Sequence, residues 1–264
     1  MVRPFKFPHS FMKWQAVWRQ WPDYRGLEGV ARSPAKHGLI PAYDDYTAAW
    51  HRIRAMKPEI TPPSDGEVEA ASHVTGMRTG NAGEYRTYRY GRRSNVRKYV
   101  VVVITADVKR KKLLAVDAHM EGNGKSEPSA VRRQLRRIAS GGNGVTKFYG
   151  DGACDTNEMF DALGDAKSAI KIRSNASTDC CRGSKRRRKE VRLYNSLGYD
   201  EWSRQTDYGM RRPGTAGIFS AAKRKFGENL MATSRRRLVA EAIQRMRAYD
   251  TIKCHGEERM GTMM

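Results

Sequence analysis

Residues Val145 to Asp155 read V-T-K-F-Y-G-D-G-A-C-D. The apolar run Val145–Tyr149 predicts a buried strand, closed by Gly150-Asp151-Gly152 and followed by a helix-like stretch. An acid between glycines at the C-terminal end of a strand can reach into a crevice suited to a metal ion. The chain carries 50 Lys and Arg against 28 Asp and Glu, a net charge of +22 over 264 residues. In so basic a chain, a metal at Asp151 points to phosphodiester chemistry.

The flanking sequence alternates strand and helix patterns. Val68–Arg78 predicts a first strand, and Tyr85–Tyr90 an edge strand. Tyr99–Ala106 (Y-V-V-V-V-I-T-A) is β-branched and continuous, which predicts a central strand buried on both faces. Lys112–His119 is the next strand. Glu127–Ser140 is amphipathic, with Val131, Leu135 and Ile138 inward, and the glycines at 141, 142 and 144 end it. Beyond Val145 a helix over Thr156–Leu163 and a strand near Ala169–Ile172 follow. Helices resume around Lys189–Leu197, Ala216–Lys225 and Arg235–Asp250, the last with Leu238, Ala242, Met246 and Tyr249 on one stripe. This order predicts an α/β sheet with flanking helices and a helical N-terminal appendage.

That appendage spans residues 1–58. Phe11, Trp14, Val17, Trp18 and Trp21 recur at helical spacing, and Asp23 and Asp44 or Asp45 are placed to cap two further helices. Three short helices fit a helix-turn-helix module or a plain helical bundle. Pro58, Pro62, Pro63 and Gly66 mark a linker over 59–66, ahead of a main domain over 67–252 and a tail over 253–264. Ser174–Arg192 is polar, and Arg182–Arg192 holds seven basic residues and one acid. It reads as a basic insert running to about residue 207: a solvated loop, or a track for a phosphate backbone.

The charge predicts salt-sensitive attraction to nucleic acid. RNA association explains the charge too, without the usual aromatic stacking motif. No stretch approaches the roughly 20 apolar residues of a spanning helix, so no membrane partner is expected. Four cysteines without a CxxC pair read as cytosolic thiols.

Taken together, these residues resemble a prokaryotic insertion-sequence transposase of the DDE type. Asp23–Met56 resembles the family's helix-turn-helix region, and Thr75-Gly76-Met77 its first catalytic strand. Lys98–Ala106 and Leu113–Asp117 resemble the following hairpin strands, and Gly150–Asp155 the second acidic motif. Tyr208, Arg211 and Arg212 with Pro213, then Gly217–Ser220, then Lys223 and Arg224, resemble the third. The resemblance implies a ribonuclease-H-like mixed sheet and three carboxylates holding two Mg²⁺ (or Mn²⁺) ions for DNA strand cleavage and joining. It also implies transposon-end and target DNA as partners, a homodimer, and a cytoplasmic, nucleoid-associated location. Arg211, Arg212, Lys223, Arg224 and the run Lys185, Arg186, Arg187, Arg188 and Lys189 are the expected DNA contacts.

The chain departs from that pattern twice. The family's first Asp stands three residues before the Gly of the Thr-Gly pair, where this chain has His73. The family's Glu stands seven residues before a Lys, where this chain has Ala216 ahead of Lys223. Only Asp151 occupies its expected place, as the one candidate metal ligand. Glu69 is four residues from His73, about 13 Å along a strand. Glu228 is about 18 Å along a helix from Ala216. Neither fills a gap. The expectation is a transposase by descent that is catalytically impaired, with a non-catalytic DNA-binding protein as the alternative.

Overall fold

The computed structural model describes residues 7–40, 42–56, 60, 66–80, 99–177 and 183–261. It falls into two compact units, residues 60–243 and residues 1–59 with 244–264.

The larger unit is built on a mixed sheet. Strands β1 (Glu67–Thr79), β2 (Tyr99–Asp107), β3 (Lys112–Met120), β4 (Gly144–Gly150) and β5 (Lys167–Ile170) lie in the order β3-β2-β1-β4-β5, and the short β6 (Asn229–Leu230) pairs with the far end of β1. β1, β2 and β3 form an antiparallel meander, while β4 joins β1 in parallel and β5 joins β4 in parallel. The β-branched run makes β2 interior: Val100, Val102, Val103 and Ile104 are fully buried, because a strand paired on both edges and covered on both faces excludes water throughout. The expected edge strand at Tyr85–Tyr90 lies outside the described residues.

Helix α4 (Glu127–Ser140) has the predicted bounds. It covers one face with Val131, Leu135 and Ile138, against Val68, Ala70, Phe148 and Ile170. Its buried Gln134 accepts from the Thr105 hydroxyl at 2.6 Å and donates to the Val103 carbonyl at 2.9 Å. These bonds satisfy a polar side chain that burial would otherwise penalise. Helix α5 (Asn157–Ala162), capped by the Thr156 hydroxyl, connects β4 to β5. The opposite face packs Ala71, Tyr149 and Ala169 against Trp202 and Tyr208.

The charged run is not a loop from Ser184 on. It is helical as α6 (Lys185–Gln205), with the Ser184 hydroxyl capping Arg187. Gly198, at φ 72°, breaks the helix where the pattern predicted its end. Buried Val191 and Trp202 anchor the two halves. Two apolar anchors at this spacing outweigh the solvation preference of the charges between them, which remain on the outer side. Helix α7 (Arg211–Phe226) follows. Helix α8 (Arg235–Gly261) runs past the predicted end at Asp250 and is shared by the two units, with Leu238, Ala242 and Met246 buried.

In the smaller unit, α1 (His9–Trp18), α2 (Tyr24–Lys36) and α3 (Tyr46–Ala55) pack through Met12, Leu27, Ala49 and Ile53. Asp23 caps α2, and Asp45 rather than Asp44 caps α3. The apolar stripe of α1 is only partly turned inward, with Phe11 packed on the core. Met12 and Gln15 are buried, whereas Trp18 and Trp21 are exposed. Helical spacing identifies a stripe but not which stripe finds a partner. Among the described residues no helix is long and apolar enough to cross a membrane.

Candidate functional site

Asp151 and His73 meet because β1 and β4 are parallel neighbours. The register pairs Ala71 with Tyr149. Two residues further on, with the period-two alternation of a strand, His73 and Asp151 point to the same face. Asp151 follows the end of β4, and its Oδ1 accepts from the Ala153 amide at 3.0 Å, capping a single 3-10 turn at Gly152–Cys154. Gly150 is required for that turn: a Cβ there would lie 2.9 Å from the Cys154 Cβ and 3.0 Å from the Phe148 ring.

The other carboxylate oxygen is taken by Arg211. Its Nη2 donates to Asp151 Oδ2 at 2.9 Å and lies 3.3 Å from His73 Nδ1. Nε donates to the Ser72 carbonyl at 3.4 Å, and Nη1 to the Tyr208 hydroxyl at 3.3 Å. One guanidinium therefore ties β1, β4 and the start of α7 together. A guanidinium always donates, so Nδ1 is the acceptor and the His73 imidazole is neutral with its proton on Nε2. Burial, then the Arg211 charge, holds the His73 pKa below its ordinary value, with Asp151 pulling the other way. The same groups act on Tyr208, whose pKa is raised by burial first.

Two further groups adjoin Asp151. Glu127, in the first turn of α4, has its pKa raised by burial and then by the Asp151 charge. Nothing in the sequence separates Glu127 from an ordinary first-turn acid favoured by the helix dipole. Cys154 is fully enclosed beside the Ser72 hydroxyl at 3.7 Å. Burial, with the Asp151 charge second, pushes its thiol up to about 12, so it is an inert core group.

Ala216 lies on α7, five residues after Arg211 and three before Phe219, whose ring centroid is 5.8 Å from that of His73. The third position thus belongs to the helix that contacts the first two. Lys223 stands two turns beyond Ala216 on nearly the same face. It pairs with Glu228 at 3.5 Å. The Glu228 carbonyl accepts from the Arg78 amide, five residues along β1 from His73, which puts that acid about 16 Å of strand away. Glu69 is engaged by Lys109 at 2.8 Å and by the Tyr149 hydroxyl at 3.1 Å.

The donor set does not fit a two-metal centre. The three expected positions offer one carboxylate already ion-paired, one imidazole and one methyl group, and the adjoining Glu127 is a carboxyl that burial biases toward its neutral form, whereas Mg²⁺ takes hard oxygen ligands in octahedral array. Among the described residues no cluster of three His, Cys, Asp or Glu side chains is arranged to hold a metal.

The expected DNA contacts divide by environment. Arg211 is enclosed as above. Arg187 donates to the Asp155 carboxylate at 2.6 and 3.1 Å, and that carboxylate is wholly buried. Asp155 therefore anchors α6 rather than capping α5, and also accepts from the Arg173 amide at 3.0 Å. Arg186 donates to the Gly164 and Ala166 carbonyls, and Arg188 to the Gly183 carbonyl at 3.1 Å. Lys185, Lys189 and Arg224 are exposed. The side chain of Arg212 is outside the described part. Compared with known proteins, the chain matches no family model and no curated protein.

Proposed function

We propose that this chain is a DNA-binding protein of transposase descent whose ribonuclease-H-like domain no longer performs two-metal strand cleavage. The sheet supports the first half of this reading. Three antiparallel strands followed by two parallel ones, in the order β3-β2-β1-β4-β5, agree with a ribonuclease-H-like domain. In that arrangement the ends of the adjacent parallel strands β1 and β4 bring their acids together.

The observation that carries the second half is the Arg211 guanidinium, held between Asp151 and His73. It supplies one positive charge at the only carboxylate of the three positions. Binding therefore falls to the charge of +22 and the exposed lysines and arginines. The homodimer, the nucleoid-associated location and the helix-turn-helix role of the N-terminal region belong to this proposal.

The test uses the full chain, transposon-end DNA and Mg²⁺ or Mn²⁺. The protein binds duplex with an affinity that falls steeply with salt, and it leaves the strands uncut. Strand cleavage abolished by Asp151→Ala overturns the proposal. Cleavage by the double variant His73→Asp with Ala216→Glu, against none by the parent, supports an intact scaffold lacking only its ligands. That comparison separates a lost site from a wider loss of the domain.

A further inference from the structure

Beside the wholly buried Asp155 carboxylate lies a pocket of about 320 Å³, whose lining includes Asn157, Arg173, Asn175 and Arg187. That volume is at the lower end of small-ligand sites. The pocket forms where three parts of the fold meet. Asp155 closes the 3-10 turn after β4, Arg173 and Asn175 follow β5, and Arg187 stands in the first turn of α6.

The charges of this lining do not cancel. Both Asp155 oxygens are engaged: Oδ1 accepts from Arg187 Nε at 2.6 Å, and Oδ2 from Arg187 Nη2 at 3.1 Å and from the Arg173 amide at 3.0 Å. Asp155 thus neutralises Arg187 and fixes its guanidinium, whose Nη1 remains a donor. Arg173 is exposed yet clamped. Its Nε and Nη2 donate to the Gly152 and Ala153 carbonyls at 2.5 and 3.2 Å. Both acceptors are neutral, so the guanidinium is held in place with its charge unmatched. The helix adds the same sign. The first turn of α6 follows the Ser184 cap with Lys185-Arg186-Arg187 and contains no acid, although a helix N-terminus favours anions. Asn157 Oδ1 accepts from the Ser184 amide at 3.2 Å, so Nδ2, the donor end of that amide, is left for another acceptor.

We infer that this pocket binds a phosphomonoester. Guanidinium groups match phosphate oxygens in geometry and in charge. A phosphate dianion gives Arg173 its anion, meets the donors of Arg187 and Asn157, and is stabilised by the N-terminus of α6. The same chemistry recognises free phosphate, a nucleoside monophosphate and the 5′-phosphate of a DNA strand. Free phosphate reports on the pocket whether or not the chain binds DNA.

The experiment titrates the full chain with inorganic phosphate, thymidine 5′-monophosphate and thymidine by calorimetry. Salt of about 0.15 M screens diffuse attraction to the net charge. Phosphate and the monophosphate bind saturably at one site per chain, and thymidine does not bind. Arg173→Ala weakens both by about tenfold or more. Asn175→Glu, which sets a carboxylate at an exposed position of the lining, also weakens both and guards against a folding defect. Arg136→Ala, an equal loss of charge on the exposed side of α4, leaves affinity within about twofold. Equal weakening by Arg173→Ala and Arg136→Ala overturns the inference, because diffuse charge then accounts for the binding. So does unsaturable binding, unchanged affinity in Asn175→Glu, or thymidine binding as tightly as its monophosphate. A duplex hairpin carrying a 5′-phosphate, compared with its 5′-hydroxyl form, identifies the source. Tighter binding of the phosphorylated form, lost in Arg173→Ala, makes the ligand a strand end; equal binding of the two forms makes it free phosphate or a nucleotide. Phosphate binding without any hairpin binding removes the DNA-binding proposal alone.

Discussion

Breaking the Arg211–Asp151 pair from either side should give unequal losses, and their coupling measures what the guanidinium contributes. The Arg211 side chain is 13% exposed and that of Asp151 36%. Arg211→Ala leaves a carboxylate that water reaches and that still accepts from the Ala153 amide. It removes the hydrogen bonds to Tyr208 and Ser72, so a loss of about 1–2 kcal/mol is expected. Asp151→Ala removes the pair and the cap of the 3-10 turn, about 1 kcal/mol. It also leaves an enclosed guanidinium without its anion, for a total of about 2–4 kcal/mol. The pair lies between a surface bridge and a buried one, so the coupling should be about 1–2 kcal/mol. Urea denaturation of the two single variants and the double variant closes the cycle. An independent readout is the His73 imidazole followed by NMR. Removing Arg211 raises its pKa, because a depressing charge is gone and the Asp151 charge that lifts it remains. Coupling below about 0.3 kcal/mol, or a His73 pKa that falls in Arg211→Ala, refutes the reasoning.

Other perturbations give separable outcomes. Arg187→Ala strands the wholly buried Asp155 carboxylate. It should cost about 3–5 kcal/mol, a fall in Tm of roughly 10 °C, whereas Lys185→Ala and Lys189→Ala on the exposed side should leave Tm nearly unchanged. Gly150→Ala sets a methyl against Cys154 and Phe148; a loss of about 1–3 kcal/mol is expected, partly relieved by adding Cys154→Gly, which removes the opposing Cβ, and full additivity in calorimetry would contradict the steric account. Burial holds His73 and His119 below their ordinary pKa. The unfolded chain then binds protons more readily, and their contribution to stability, present above about pH 6.5, is lost as pH falls through the lowered values. Glu127, raised by burial, acts in the opposite sense: its contribution is present at low pH and lost as pH rises through the raised value. Denaturation midpoints should therefore drop between pH 7 and 5 by less in the double variant His73→Phe, His119→Phe than in the parent.

The elements themselves were largely legible in the residues. The run Tyr99–Ala106 has no surface-compatible alternation, so only a doubly covered strand satisfies it. Asp23 and Asp45 are capping residues whose short carboxylates bond the first-turn amides, a local effect that needs no tertiary context. Local rules misjudged Arg182–Arg192, because the groups that engage Arg186 and Arg187 lie 20 to 32 residues earlier. They left the buried face of α1 open, because any of its stripes satisfies the helical period.

The sequence by itself determined the strand and helix order, the caps, and the chemistry available at positions 73, 151 and 216. Those follow from side-chain shape, periodicity and ionisation, which act over a few residues. Only the tertiary structure decided that β1 and β4 run parallel side by side, and that Arg211 closes over their adjoining ends. Which charges are consumed inside the molecule and which remain for a partner depends on pairings across up to 139 residues of chain. Such long-range pairings are set by the collective packing of the sheet and its helices, and no short window of sequence encodes them.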